Sequence, residues 1–201
     1  KHMHAYRDWR NRLVLFDDVD VSTTVERVVD GRKQVVPAVI RAANHKSVAE
    51  LHNEIRNVQG EKVDQADVYR TMRWYLAIPF FIRRLFFPIL NRTPQLMKKK
   101  SGTVMVTSVG MFGQGAGWGI PIASHTLNIT VGGIVSRPSL VDGQLENREY
   151  LCLTISFDHD LIDGAPAARF IQRFKEFIES GSGLLAETER QPGQLTSIKT
   201  L

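Results

Sequence analysis

A lone cysteine, Cys152, in a chain of 201 residues excludes an internal disulfide. It lies in an apolar, strand-like run, where a small buried hydrophobe is its expected role. The absence of disulfides fits a reducing compartment, so a cytoplasmic location is expected. Uncharged apolar runs of membrane-spanning length are missing too: residues 74–90 carry Arg83 and Arg84 near their middle and are too few to cross a bilayer. Lys1-His2-Met3-His4 opens onto charged residues, so no secretory leader is expected. Acidic residues are scarce in one place. Between 66 and 100, Arg70, Arg73, Arg83, Arg84, Arg92, Lys98, Lys99 and Lys100 face Asp67 alone, which makes this stretch more positive than the +5 of the whole chain. No Gly-Lys-Ser/Thr follows the glycine-rich loop and no dinucleotide spacing occurs, which excludes a phosphate loop there. No nucleic-acid module accompanies the basic stretch, so no nucleic-acid partner is expected. No metal is expected either.

What is present fits one domain over 1–201. With 43% hydrophobic and 23% charged residues, the chain is long enough for a single core and short for two. Residues 12–16 and 19–29 are rich in branched and apolar side chains, and Asp30-Gly31 predicts a hairpin turn before a strand over 33–40. Ser47-Val48-Ala49-Glu50 has the form of a capping box, predicting a helix to about Gln59 that Gly60 ends. His45 and His52, before and on that helix, read as surface or packing residues. Residues 61–100 read as a basic, aromatic helical insertion, in which Tyr69, Trp74, Tyr75, Phe80, Phe81, Phe86 and Phe87 alternate with arginines. Pro79, Pro88 and Pro94 cut its helices short. Such a stretch is expected to pack between subunits or to wall an apolar binding site; peripheral membrane contact through 70–100 is the competing reading.

Downstream, 103–107 and 126–135 read as strands, joined by a loop punctuated by Gly110, Gly113, Gly115, Gly117 and Gly119. Asp142-Gly143 predicts a second hairpin turn before a strand over 150–157. Residues 165–180 predict an amphipathic helix burying Phe170, Ile171, Phe174, Phe177 and Ile178 on one face. Gly181 stops it, and 181–201 read as a flexible tail.

The chemistry concentrates at Ser156-Phe157-Asp158-His159-Asp160-Leu161-Ile162-Asp163-Gly164, which reads as a strand, a tight corner and the start of a helix. Gly164 is expected to supply the free backbone of that corner. A histidine held half dry at the lip of a sheet suits a general base, because the ordinary imidazole pKa lies nearest neutrality. Alone, a histidine in a turn is most often structural; the ordered string His159-x-x-x-Asp163-Gly164 and the glycine-punctuated strand upstream favour chemistry.

That string, preceded by Ser156-Phe157-Asp158 and followed by Ala165-Pro166-Ala167-Ala168-Arg169-Phe170, resembles the active-site signature of the dihydrolipoyl acyltransferases of 2-oxo acid dehydrogenase complexes, shared with chloramphenicol acetyltransferase. Gly102-Thr103-Val104-Met105-Val106-Thr107-Ser108-Val109-Gly110-Met111-Phe112-Gly113 is similar to that family's second motif. Val35-Val36-Pro37-Ala38-Val39-Ile40-Arg41 with Lys46-Ser47-Val48-Ala49-Glu50-Leu51 is a third, weaker match. The resemblance runs from about Leu13 to Ser180.

It implies an α+β fold, a two-layer α/β sandwich whose mixed β-sheet is covered by helices, chloramphenicol acetyltransferase-like and N-terminally incomplete, since the family's first helices and strands have no counterpart before Leu13. It implies acyl transfer from the thioester of coenzyme A to a small thiol, hydroxyl or amine acceptor. His159 would be the general base, Thr107 the hydroxyl that stabilises the oxyanion, and Asp163 chiefly structural. In the family the histidine and the hydroxyl come from different subunits, so a homotrimer or larger trimer-based assembly is implied. Two departures stand out: Asp160 replaces the arginine usual after the histidine, and Ser108 the common asparagine. No lipoyl domain is recognisable, which leaves the acceptor open. The competing expectation is a non-catalytic trimeric scaffold or binding protein; His159, Asp163, Gly164 and Thr107 together favour the enzyme, because a scaffold requires none of them.

Overall fold

Branched residues dominate the segments that pair into sheets. Two short strands, β1 (Tyr6–Arg7) and β2 (Leu13–Val14), pair with each other. Five longer ones, β3 (Val21–Val29), β4 (Arg32–Ile40), β5 (Val104–Ser108), β6 (Leu127–Val141) and β7 (Gln144–Phe157), form one sheet in the order β4-β3-β5-β6-β7. The outer pairs are antiparallel and β5 runs parallel to both of its neighbours, so the sheet is mixed. Helices α1 (Val48–Gly60), α2 (Pro94–Ser101) and α3 (Gly164–Ser180) accompany it. This computed structural model describes residues 2–29, 32–60, 77–80, 82, 84, 93–110, 115–122 and 124–181. The expected turn at Asp30-Gly31, most of the 61–100 insertion with its aromatic cluster, residues 111–114 and the tail beyond Gly181 lie outside them. Among the described residues no helix is long and apolar enough to cross a membrane.

Strand alternation gives the main sheet two unlike faces. Val104, Leu127 and Ile129 form the centre of the core, joined by Val106, Ile155 and Phe157, and α3 closes this side with Phe170 and Phe174. The Phe157 and Phe170 rings meet edge to face at 5.7 Å. The other face carries hydroxyls and an amide: Ser22 and Thr24 on β3, Thr107 on β5, Asn128 and Thr130 on β6, Thr154 and Ser156 on β7. α1 begins at the expected capping box, the Ser47 hydroxyl accepting from the Glu50 N–H at 3.2 Å while the Glu50 carboxylate accepts from the Ser47 N–H at 2.8 Å.

Two expectations are corrected here. β6 does not stop near Val135, nor does β7 begin at Tyr150; both run on as a long hairpin to the turn at Asp142-Gly143, where both residues have positive φ, as a type I′ turn requires. The outer arm is solvated on both faces, with Leu140 and Leu145 each 75% exposed, so it lacks the alternation that marks a half-buried strand. On α3, only Phe170 and Phe174 reach the core; Ile171, Phe177 and Ile178 are exposed, and the Arg173 guanidinium lies 4.5 Å from the Phe177 ring centre. The sheet covers a narrower stripe than the helix offers.

The loop between β5 and β6 presses onto the polar face through glycines. A Cβ on Gly132 would lie 2.0 Å from the Gly117 carbonyl oxygen and 3.0 Å from that of Cys152, a contact only backbone displacement relieves. Gly132→Ala is therefore expected to cost about 3 kcal/mol, the upper end of overpacking, read as a lowered denaturation midpoint with unchanged slope.

Candidate active site

The corner after β7 is built by Asp158. Its N–H donates to the Thr126 carbonyl at 2.9 Å, and its own carbonyl accepts from Leu161 at 3.1 Å and Ile162 at 3.0 Å. Its carboxylate accepts the Asp160 N–H at 3.0 Å, so this acid serves the turn and not the imidazole. Ile162, 3% exposed, plugs the corner into the interior, and from β1 the Arg7 guanidinium donates to the Asp160 carbonyl at 2.5 Å. His159 stands at the apex. It is exposed, where the sequence led us to expect a half-dry ring; the described residues display this imidazole without enclosing it.

Asp163, also exposed, is the N-cap of α3. Its backbone is extended (φ −71°, ψ 164°) and its side chain makes no cap hydrogen bond; its carbonyl accepts from Ala167 at 3.1 Å. It fixes the corner through its main chain. Gly164 has ordinary φ, and a Cβ there would meet nothing within 4 Å, so the corner does not require glycine, contrary to expectation.

Thr107 lies level with Thr130 on β6, and Thr130 with Thr154 on β7. On its other side the Thr24 hydroxyl is 3.1 Å from the Thr107 hydroxyl. The polar face is thus crossed by a row of four threonines, in which the buried Thr130 hydroxyl has no hydrogen-bond partner. The row does not reach the histidine. From Thr107 to the level of β7 is two strand spacings, about 10 Å, and the chain runs on from Thr154 through Phe157, about 10 Å more, before the turn begins. One chain therefore does not bring His159 and Thr107 to a common atom.

Beneath the corner a second histidine is structural. His125 Nε2 faces the Ser101 carbonyl at 2.6 Å and Nδ1 faces the Ser124 hydroxyl at 2.8 Å; a carbonyl only accepts, so Nε2 carries the proton and Nδ1 accepts. Burial pushes the imidazole pKa down, partly opposed by the Ser101 bond. The sign follows: below about pH 6.5 the unfolded chain binds a proton that the native ring resists, so stability falls with pH there. Melting temperatures from pH 7.5 to 5 are expected to fall less steeply in His125→Gln than in the parent. Beside it, burial raises the Tyr6 pKa, and the phenol donates to the Gly102 carbonyl at 2.9 Å. His45 lies 3.4 Å from Asp18 and His52 is exposed, as their surface reading requires.

For a phosphate-bearing substrate the described residues offer a cleft of about 550 Å³ lined by Phe16, Asp20, Arg41, Gln95, Lys98 and Lys99. Arg41 there pairs with Asp20 at 2.9 Å and donates to the Lys98 carbonyl at 2.7 Å, and Lys98 reaches Asp18 at 3.3 Å. Lys99 is exposed at the rim. No cluster of metal ligands occurs among the described residues.

Sequence reading missed Arg7, Thr24 and His125. Arg7 precedes every motif; Thr24 sits in a branched strand, where threonine signals only β-propensity. His125 carries no spacing signal.

The family model described as 2-oxoacid dehydrogenases acyltransferase (catalytic domain) matches residues 90–186. The chain is 26% identical over 175 residues, 87% of its length and 31% of the relative's, to the mitochondrial dihydrolipoyllysine-residue succinyltransferase component of the 2-oxoglutarate dehydrogenase complex of Saccharomyces cerevisiae. It thus spans less than a third of that protein. Among solved structures it is similar to a probable dihydrolipoamide acetyltransferase from Listeria monocytogenes, with TM-score 0.60 and 22% identity over 89% of this chain and 63% of that one. It is also similar to the Azotobacter vinelandii dihydrolipoamide acetyltransferase, with TM-score 0.57 and 21% identity over 88% and 60%, in a study of a serine, a histidine and an asparagine in that enzyme's catalytic mechanism. The fold is that of these acyltransferase cores.

Proposed function

Since residues 90–186 match the family model of the 2-oxoacid dehydrogenase acyltransferase catalytic domain, we propose that the chain transfers an acyl group between coenzyme A and a small thiol, with His159 as general base and Thr107 as oxyanion stabiliser. The observation that carries the reading is the corner itself: a strand end, a turn held among the described residues by Asp158 and Arg7, and an imidazole exposed at its apex. Chain spacing supports it. In the Azotobacter vinelandii enzyme the serine and histidine stand as many positions apart as Thr107 and His159, and its histidine and asparagine as many as His159 and Asp163.

His159 takes the proton of the acceptor S–H, and the thiolate attacks the thioester carbonyl of acyl-coenzyme A. The carbonyl oxygen becomes an oxyanion to which the Thr107 O–H donates. Collapse breaks the bond to the coenzyme A sulfur, which takes the proton back from the imidazolium. A dihydrolipoyl group, which the relatives' names carry, is the acceptor we propose first, ahead of a hydroxyl or an amine. Because one chain keeps His159 and Thr107 apart, two copies complete the site, and a trimer is the assembly we propose. The exposed Ile120, Ile122, Leu140 and Leu145 are apolar surface that such an assembly would cover.

The test is coenzyme A release from acetyl-, isobutyryl- and succinyl-coenzyme A with dihydrolipoamide as acceptor. Turnover of at least one donor above the uncatalysed rate is expected; none with any of the three overturns the enzymatic reading.

A further inference from the structure

We infer that Thr24, on β3, is the positioning residue for Thr107, donating its hydroxyl proton to the Thr107 oxygen so that the Thr107 proton is left for the oxyanion. The inference rests on the oxyanion reading above and deepens it. Its starting point is the 3.1 Å contact between the two hydroxyls, in which either oxygen satisfies the distance as donor. Each hydroxyl has one proton and two lone pairs. If Thr107 donated to Thr24, its only proton would be spent and the developing negative charge would meet a lone pair. The working arrangement is therefore the reverse, with Thr24 as donor.

The fold holds the pair in place. β3 and β5 run parallel, with Val21 level with Val104 and Ser22 with Met105; two residues further along, Thr24 comes level with Thr107 on the same face. β-branched side chains have restricted χ1, so both hydroxyls are stiffly held. On its other flank Thr24 faces Pro37 of β4, which has no hydroxyl to compete. On the far side of Thr107, Thr130 has a buried hydroxyl with no partner, so the relay runs from Thr24 and not from β6. An accepted hydrogen bond also polarises the Thr107 O–H, strengthening the bond it donates.

The experiment is a cycle of Thr24→Val and Thr107→Ala, read as kcat and KM for the acyl-coenzyme A that turns over. Thr24→Val keeps shape and branching and is expected to lower kcat roughly 3- to 10-fold, the worth of one hydrogen bond, with KM and melting temperature unchanged. Thr24→Ser is expected to restore kcat. In the Thr107→Ala background, Thr24→Val is expected to lower kcat no further, because its route of action is gone. Wild-type kcat in Thr24→Val, an equal loss in both backgrounds, or no rescue by serine would each overturn the inference. Should valine unfold the strand, Thr24→Ala takes its place with the same expectations. Full turnover in Thr107→Ala would remove the oxyanion assignment and this inference with it; impaired Thr107→Ala beside unimpaired Thr24→Val removes this inference alone.

Discussion

His159→Ala is expected to lower kcat by roughly 10² to 10⁴, the usual contribution of a placed general base, while leaving the melting temperature where it was. The second half of that expectation comes from the corner. The hydrogen bonds that shape it belong to the Asp158 main chain and carboxylate and to the Arg7 guanidinium, and its apolar anchor is Ile162. The exposed imidazole contributes to neither. Surface substitutions away from such features stay within about 0.5 kcal/mol, so loss of turnover without loss of stability separates a catalytic histidine from a structural one. His125 supplies the internal control: it is buried and bonded at both ring nitrogens, and its replacement should move stability. Coenzyme A release at saturating donor, beside a thermal melt, measures both. Wild-type turnover in His159→Ala would sink the assignment.

The corner and the hydroxyl strand were legible because their signals are local. A branched run ending in Asp, His and a second Asp before an amphipathic segment fixes strand, turn and helix within a dozen residues, and the capping box at Ser47 fixes another helix start in the same way. The outer arm of the β6–β7 hairpin was not legible, because a ladder solvated on both faces leaves no alternation to read; only the Asp142-Gly143 turn announced it. The exposed flank of α3 misled for a related reason. Phe177 and Ile178 look like core in a helical pattern, yet which apolar residues are buried depends on how much sheet lies opposite. Thr24 was invisible because its meaning arises only when β3 comes to lie beside β5, a pairing across 83 positions of chain. Gly164 shows the converse: a residue prominent in the string has no steric demand in the fold.

Restored activity in a mixture of two dead variants is the expected result that bears on assembly. Thr107→Ala alone should lower kcat by roughly 10² to 10³, as removal of one oxyanion donor does, and His159→Ala at least as far. Each variant retains the group the other lacks. If every site joins His159 of one copy to Thr107 of the next, a cyclic trimer containing both variants has one junction in three where both groups are intact, whichever variant is in excess. Variants carrying different tags, co-expressed and purified through both, should therefore recover about a third of wild-type turnover. Sites formed within single chains would give only the residual rates of the two parents. The separation of the two groups in one chain, about 10 Å across the sheet and about 10 Å along it, favours the first outcome, because a thioester carbonyl must lie within hydrogen-bond reach of Thr107 while the attacking thiol reaches His159. Parental rates in the doubly purified species would dissolve the shared site even if each single substitution behaved as expected.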